Sequence, residues 1–369
     1  MTRIRDIAIL GSTPAAYAAA YFLARQKCDV IVVKCPSLPT ECPLTDWAPR
    51  ELFQAPHLPK SLVELAKAEE FKTVIYFSSR LDKQAETTSR AVSGYFVSVP
   101  VLTAVLKKEA AKAGAAMLSL DLRPTILLAE DQVTLVGPGV TSKLLLNVNG
   151  SPSEALAALS QPGRTAPQSI LTVAGLDVPV TRKAPATRLH ALHVVVLPER
   201  TELGMFFIMG NMAHLRVVSS SKASGTRAAE LSTMLKTLQE GGLLGQLALG
   251  KAKGGVWYPP AGAALELEAH VAKRCLLAGT AGGFADSITG QTLAPTVQSA
   301  LLAAQVALAA LKNDKTQEAL MHFKTSWRQA MADSLRPPST SLQMLLPLLF
   351  VNKRILPKFT RTLMRGESI

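Results

Sequence analysis

Blocks of apolar residues predict a strand, a helix and a second strand at the start of the chain. Residues 4–10 are largely apolar, residues 15–26 are rich in alanine and apolar on nearly all sides, and residues 29–33 form another apolar run. Continuous apolar strands are typical of a parallel sheet covered on both faces. The block therefore predicts a βαβ unit of about 30 residues.

The remaining pattern predicts a sheet that is interrupted by a second sheet and then resumed. Residues 36–60 are rich in proline and lack periodicity, which indicates a long excursion over the surface. Strand-like runs at 193–197, 204–209 and 215–219 favour an antiparallel sheet. The other predicted elements are helices at 61–70, 100–114, 226–240 and about 291–311, and strands within 115–148, at 168–174 and at 275–279.

These elements predict an α/β, three-layer fold in three parts. Residues 1–177 and 263–312 form a discontinuous domain around a parallel sheet. Residues 178–262 form an inserted antiparallel-sheet domain, and residues 313–369 form a C-terminal helical segment.

Composition narrows the classes of partner. The chain has 369 residues, 48% of them apolar, and a formal net charge of +13. A positive charge favours nucleic acid, anionic lipid or an acidic partner, and it is equally compatible with a basic enzyme. We expect no nucleic acid, because no nucleic-acid module is visible. No signal peptide, spanning apolar run or metal spacing of cysteines is recognised, so we expect a cytoplasmic protein with reduced thiols.

The turn after the first strand has part of a dinucleotide-binding signature. Gly11 fills the position of the tight turn, Thr13 stands where a second glycine normally admits the pyrophosphate, and Ala16 is an accepted third residue. Lys34 ends the second strand, where an acid usually binds the ribose; a lysine there suits a 2′-phosphate, so NADP is a minor alternative. From this motif alone, a nucleotide site and a simple βαβ turn that binds nothing remain equally open.

A second glycine-rich segment carries a family resemblance. Residues 276–293 read LLAGTAGGFADSITGQTL, and they resemble the flavin-binding segment of geranylgeranyl reductases and related group A, aromatic hydroxylase-like flavoproteins. The residues that match that family's order are Gly279, Ala281, Gly283, Phe284, Asp286, Thr289 and Gly290. With the first βαβ unit, the resemblance spans residues 4 to about 330.

The resemblance implies a Rossmann-like FAD-binding domain with a substrate domain inserted into it. Gly11, Ala16, Gly283, Thr289 and Gly290 would cradle the cofactor, with Gly279 and Thr280 beside it. Backbone N–H groups of the Thr289–Gly290 turn would stabilise negative charge on reduced flavin.

Several positions depart from the family pattern. Thr13, Lys34, Val99 and Thr280 replace residues that contact the adenosine diphosphate half of FAD. The family also shows an Asp-Gly pair after a strand that we align with the one ending at Ala174, where this chain has Gly175-Leu176-Asp177.

The substrate side offers aromatic and apolar side chains but no catalytic constellation. By the resemblance, Trp257 and Tyr258 border the substrate; as ordinary core or edge aromatics they are equally well explained. Met205, Phe206, Phe207, Met209 and Met212 suit a lipid-binding wall, and they suit an ordinary core better. We assign no catalytic residue and no metal ligand, since His190 and His193 would point to opposite faces of a strand.

The C-terminal segment is basic and predicted to be amphipathic. Ile355, Phe359 and Leu363 recur every four residues among Lys353, Arg354, Lys358, Arg361 and Arg365. Such a helix can lie on an anionic membrane surface, which would make the protein peripheral, or it can pack on the body with its charges in solvent.

Two functional hypotheses follow. The first is a flavin-dependent oxidoreductase acting on an apolar, isoprenoid or lipid substrate. The second is a cofactor-free protein that keeps the fold and binds a lipid or a partner. The altered contacts to FAD favour the second hypothesis, and the retained glycine turns favour the first.

Overall fold

The computed structural model describes residues 3–159, 171–182, 188–197, 203–220, 227–337 and 342–367. The strands are β1 (Arg5–Leu10), β2 (Val30–Lys34), β3 (Thr45–Pro49), β4 (Glu69–Phe71), β5 (Thr73–Phe77), β6 (Gln84–Thr88), β7 (Gly94–Ser98), β8 (Ala116–Ser119), β9 (Thr125–Leu128), β10 (Val133–Val136), β11 (Val140–Asn147), β12 (Leu171–Arg182), β13 (Ala191–Val196), β14 (Leu203–Met209), β15 (Met212–Ser220), β16 (Gln246–Leu247), β17 (Lys253–Trp257), β18 (Val271–Ala272) and β19 (Cys275–Leu277). The helices are α1 (Pro14–Arg25), α2 (Arg50–Phe53), α3 (Leu62–Leu65), α4 (Val99–Lys112), α5 (Pro152–Ala158), α6 (Arg227–Glu240), α7 (Ala263–Glu266), α8 (Leu293–Ala310), α9 (Thr316–Leu335), α10 (Leu342–Leu348) and α11 (Ile355–Arg365), with short 3₁₀ turns at Leu249–Lys251 and Gly279–Gly282.

The first sheet has the strand order β18-β19-β11-β1-β2-β8, and β19, β11, β1, β2 and β8 run parallel. Successive residues of β1 alternate between two cores, because side chains of a strand point to opposite faces. Ile7 and Ile9 pack with α1, α4 and α8. Ala8 and Leu10 pack with α5 and the β9–β10 hairpin on the other face. The predicted parallel sheet with its βαβ unit is confirmed.

The second sheet has the order β16-β12-β15-β14-β13-β5-β6, with β17 also paired to β12. All its pairs are antiparallel except β13 with β5. The predicted strands in 193–219 are confirmed, and Phe206 and Phe207 point into different cores.

Two segments within the predicted parallel-sheet domain pair with the second sheet instead. Residues 73–88 and 171–177 fall inside the predicted range 1–177, but β5, β6 and β12 belong to the second sheet. A short apolar run has the same pattern in either sheet, so strand pairing decides between them. Residues 168–170 of the predicted strand lie outside the described residues.

The helices conform to their sequence patterns with one exception. The predicted helix at 61–70 is only Leu62–Leu65. Leu293–Ala310 is long and apolar enough to cross a membrane, but 61% of it is buried among the protein's own residues, as in a core helix. The predicted amphipathic helix at the C-terminus is confirmed as α11. Its apolar face is buried, with Phe359 5.8 Å from the Tyr76 ring.

Candidate functional site

The two glycine turns meet at one edge of the parallel sheet, as predicted. β11 lies between β1 and β19, so the turns that follow these strands flank Val148. A side chain at Gly11 would meet the Val148 methyl at 2.9 Å, and one at Gly279 would meet the Val148 carbonyl oxygen at 2.3 Å. Both glycines have positive φ angles, at 143° and 57°. They are therefore required by close packing of the chain against itself.

A segment without regular secondary structure, residues 35–44, crosses between the two turns; we call it the crossing segment. The Thr40 hydroxyl donates to the Thr280 hydroxyl at 3.1 Å, and both groups are buried. The Pro39 carbonyl oxygen accepts from the Tyr258 N–H at 2.9 Å. The crossing segment thus links the second glycine turn to the substrate-domain sheet.

Half-buried Glu41 places a carboxyl group with one fully buried oxygen beside the first turn. Burial raises the pKa of Glu41 to about 8, and the nearby Thr13 hydroxyl lowers it in part. Neither the Thr13 hydroxyl nor one Glu41 oxygen makes a hydrogen bond of normal geometry. The start of a helix attracts anions, and here the group beside it is a carboxyl of the same chain.

The N–H groups of the predicted flavin-facing turn are already bonded within the turn. The Asp286 carboxylate accepts from the Thr289 N–H at 2.6 Å and from the Ile288 N–H at 3.0 Å. The Gly290 N–H donates to the Asp286 carbonyl oxygen at 3.1 Å. In this conformation the N–H groups of Thr289 and Gly290 are therefore not free to form the predicted oxyanion site, because an Asp side chain readily satisfies N–H groups two and three residues on.

A buried charge cluster occupies the region in front of this turn. The Arg216 guanidinium, 2% exposed, donates to the Asp177 carboxylate at 2.9 Å and to the Thr45 carbonyl oxygen. The His214 Nδ1 atom lies 3.0 Å from the same carboxylate. Burial alone would raise the pKa of Asp177, but its His214 and Arg216 partners hold it below the ordinary value. Burial raises the pKa of the neighbouring Asp46 to about 6.

Trp257 and Tyr258, the predicted substrate residues, lie in different surroundings. Trp257 is buried beneath Arg216, whose guanidinium carbon lies 5.7 Å from the ring centre, whereas Tyr258 is 45% exposed. The cavity beside Trp257 measures about 10 Å³. It is lined by Asp46, Trp47, Val173, Met205, Arg216, Trp257, Thr289, Gly290 and Gln291. This space holds about one water molecule.

The other predicted contacts are placed as follows. Ala16 is buried against the first turn, and Thr13 begins α1 without capping it through its side chain. Lys34 is exposed at the end of β2, and Val99 is buried in the core under α1. The position that corresponds to the family's Asp-Gly pair is corrected from residues 175–177 to residues 149–150. Gly175 lies in β12 of the second sheet, while Asn149-Gly150 follows β11 at the edge where the turns meet.

These contacts occupy groups that the resemblance assigns to FAD. The Thr280 hydroxyl is bonded to Thr40, Glu41 lies beside Thr13, and the charge cluster packs on Trp257 next to the Thr289–Gly290 turn. The cavity of about 10 Å³ beside Trp257 is far smaller than ligand pockets, which measure roughly 300–1,000 Å³. No chemical step through a flavin follows from this conformation.

A larger cavity lies on the side of the Asp286–Gln291 turn that faces away from Trp257. It measures about 440 Å³ between the start of α8, the end of α9 and the end of α11. A second cavity of about 290 Å³ continues along α8 beside α2. The two share Pro49, Glu51, Ala294 and Gln298, and we call them together the α8 groove. Apolar side chains of α8 form its floor, and the amides of Gln291, Gln298 and Gln329 line the larger cavity.

Sequence reasoning missed the residues that close the site. A charged residue inside an apolar strand indicates a buried, paired charge, and both Asp177 in β12 and Arg216 in β15 fit this pattern. Thr40 and Glu41 offered no such signal, because they lie in a region without periodicity. Within the described ranges, no three His, Cys, Asp or Glu side chains come close enough to hold a metal ion.

Comparison with solved structures identifies the fold. A geranylgeranyl bacteriochlorophyll reductase-like protein from Thermoplasma acidophilum superposes with a TM-score of 0.71 at 16% identity, covering 99% of this chain and 97% of that one. PqsL of P. aeruginosa, in complex with 2-aminobenzoylacetate, gives 0.69 at 17% identity, covering 97% and 100%. The flavin-dependent brominase Bmp2 gives 0.67 at 13% identity, covering 99% and 94%.

No protein-family model matches the sequence, and no curated protein matches it significantly. The superposition nevertheless extends over the two large sheets and the C-terminal helices, since nearly the whole of each chain is covered. The chain therefore has the fold of the FAD-dependent oxidoreductases, which includes geranylgeranyl reductase-like proteins and monooxygenases.

Proposed function

We propose that this chain is a cofactor-free protein of the flavoprotein fold that binds an elongated apolar ligand in the α8 groove. One observation carries the proposal: the crossing segment and the charge cluster occupy groups of the glycine turns that would hold FAD, whereas the α8 groove is open. The groove's size lies in the range of ligand pockets.

The lining of the groove defines the class of ligand. Val297 and Leu301 offer apolar contact along α8, which suits a hydrocarbon chain. Gln298 offers an amide that can donate and accept hydrogen bonds near one end, whereas the Gln291 amide is already bonded to the Trp47 carbonyl oxygen and the Ala294 N–H. Glu51 and Arg365 form an ion pair at 3.3 Å, and Asp286, Asp333 and Glu367 also line the larger cavity, so its lining has no excess of positive charge to select an anion. An isoprenoid alcohol combines these properties.

The binding experiment is a titration of the full chain with geranylgeraniol, followed through intrinsic fluorescence. Trp47 lines the larger cavity, so its emission should change on binding. Ala294 lines both cavities, and Ala294→Phe should fill the space they share and weaken binding by about tenfold or more. Ala309→Phe is the matched control, because Ala309 is exposed on the same helix. Absence of saturable binding, or equal binding by the two variants, would reject the proposal.

A flavin-dependent oxidoreductase acting on an apolar substrate is the second candidate. The retained glycines of both turns and the flavin enzymes among the structures of the same fold favour it. It requires the crossing segment to move out of the space between the turns. Saturating FAD should then raise the melting temperature by several degrees, since a ligand at a hundred times its Kd contributes about 2.7 kcal/mol. The cofactor-free proposal predicts a colourless protein and no change.

A further inference from the structure

The helix before α11 exposes an apolar ridge. Met344 is 68% exposed, Leu348 38% and Val351 71%, although all three are large apolar side chains. Their neighbours Leu345, Leu346 and Leu349 are buried and fix α10 and the turn after it on the body. Since the ridge residues are three or four positions apart, they share one side of this segment.

Basic residues follow the ridge directly. Lys353, Arg354 and Lys358 are exposed within the next seven positions, and no acidic residue occurs between Asp333 and Glu367. Further along α11, Arg361 and Arg365 have Glu367 as an ion-pair partner, at 3.1 and 3.6 Å. Within the segment between Asp333 and Glu367, the positive charge that faces solvent is therefore concentrated next to the ridge.

We propose that the segment 344–358 docks the protein on an anionic lipid bilayer. The ridge residues would enter the interface, and Lys353, Arg354 and Lys358 would contact the headgroups. The predicted route through the apolar face of α11 is not available, because Phe359 and Leu363 are packed in the protein core. A fluid bilayer accepts apolar side chains beside basic ones without a matched rigid surface, which favours lipid over an acidic protein. This inference is independent of the proposed function.

The experiment is flotation of the full chain with vesicles of phosphatidylcholine alone and of phosphatidylcholine mixed with phosphatidylserine. We expect binding to the mixed vesicles that weakens as salt is raised. Replacing the ridge residues, in the variant Met344→Ser/Leu348→Ser/Val351→Ser, should weaken binding by about tenfold or more. The variant Lys353→Gln/Arg354→Gln/Lys358→Gln should do the same.

Matched controls separate the docking segment from general charge and hydrophobicity. Leu122 is 80% exposed elsewhere on the surface, so Leu122→Ser should bind as the wild type does. Lys60→Gln/Lys107→Gln/Lys108→Gln removes the same charge from other exposed positions and should also leave binding unchanged. The single variant Val351→Ser tests the ridge if the triple variant folds poorly.

Two results would overturn the inference. One is failure of the wild type to bind mixed vesicles, the outcome expected if the ridge serves an acidic protein instead. The other is binding by the ridge variants that equals the binding of their controls.

Discussion

The two sides of the Asp286–Gln291 turn differ in how tightly the chain is packed. On the inner side, Asp46, Trp257 and Arg216 leave about 10 Å³. On the outer side, the same turn borders an open cavity of about 440 Å³. The glycine motif therefore lies between a packed region and an open one. Close packing on the inner side requires Gly290 whether or not a ligand binds.

The glycines illustrate why a glycine motif can be present without the ligand that it usually binds. A side chain at Gly290 would meet Val173 at 2.7 Å, and one at Gly283 would meet the Ala264 backbone nitrogen at 2.5 Å. In each case a side chain would clash with another part of the chain. A turn first shaped for a cofactor can thus remain glycine-rich because the chain itself packs against it.

The largest expected effect comes from breaking the charge cluster on the packed side. Arg216→Ala leaves Asp177 and Asp46 buried near one another without their guanidinium partner. We expect a loss of about 3–5 kcal/mol in the free energy of unfolding, measured by urea denaturation.

Arg188→Ala is the control for this variant. Arg188 pairs with Glu86 at the surface, where an ion pair contributes only about 0–1 kcal/mol. Similar losses for the two arginines would mean that the inner region is not packed as described.

A smaller effect is expected from the titration of Glu41. Its pKa rises from the reference value of 4.5 to about 8 on folding, so the folded state retains a proton that the unfolded state has lost. The contribution of Glu41 to stability therefore falls as the pH rises through this range, while the buried His193 and His270, whose pKa values are lowered from 6.5 to about 4, contribute in the opposite direction. Between pH 6 and 8, above the pKa of about 6 of Asp46, Glu41 should account for a fall of about 2 kcal/mol.

Glu41→Gln should abolish that fall, as measured by urea denaturation at several pH values. Exposed Glu64→Gln should keep the wild-type dependence on pH. A wild-type protein whose stability does not fall between pH 6 and 8 relative to Glu41→Gln would place the Glu41 carboxyl in solvent and leave the space between the turns open.

The smallest expected effect distinguishes backbone strain from close packing at Gly290, in the Asp286–Gln291 turn. Gly290 and Gly242 both have positive φ angles, at 66° and 70°, but a side chain at Gly242 would meet nothing within 4 Å. Gly290→Ala should therefore lower thermal stability more than Gly242→Ala does, by about 1 kcal/mol. Equal losses in calorimetry would indicate that the turn faces open space, as a cofactor cradle does.

Local patterns predicted much of the fold and less of the site. The βαβ unit, the long helices α4 and α8 and the strands around Phe206 follow from periodicity, which is a property of neighbouring residues. The joining of β12 to the second sheet did not follow from it. The segment containing Thr40 and Glu41 was interpreted as a surface excursion, because a chain without periodicity carries no information about what it covers.

The sequence by itself determined the two glycine turns, the parallel sheet that brings them to one edge and the positive charge of the C-terminal segment. Each follows from local geometry or from composition. Only the tertiary structure decided that Thr40, Glu41 and Arg216 fill the space between the turns and the second sheet. Filling a space depends on contacts between residues far apart in the chain, such as Thr40 with Thr280, and no local pattern specifies them.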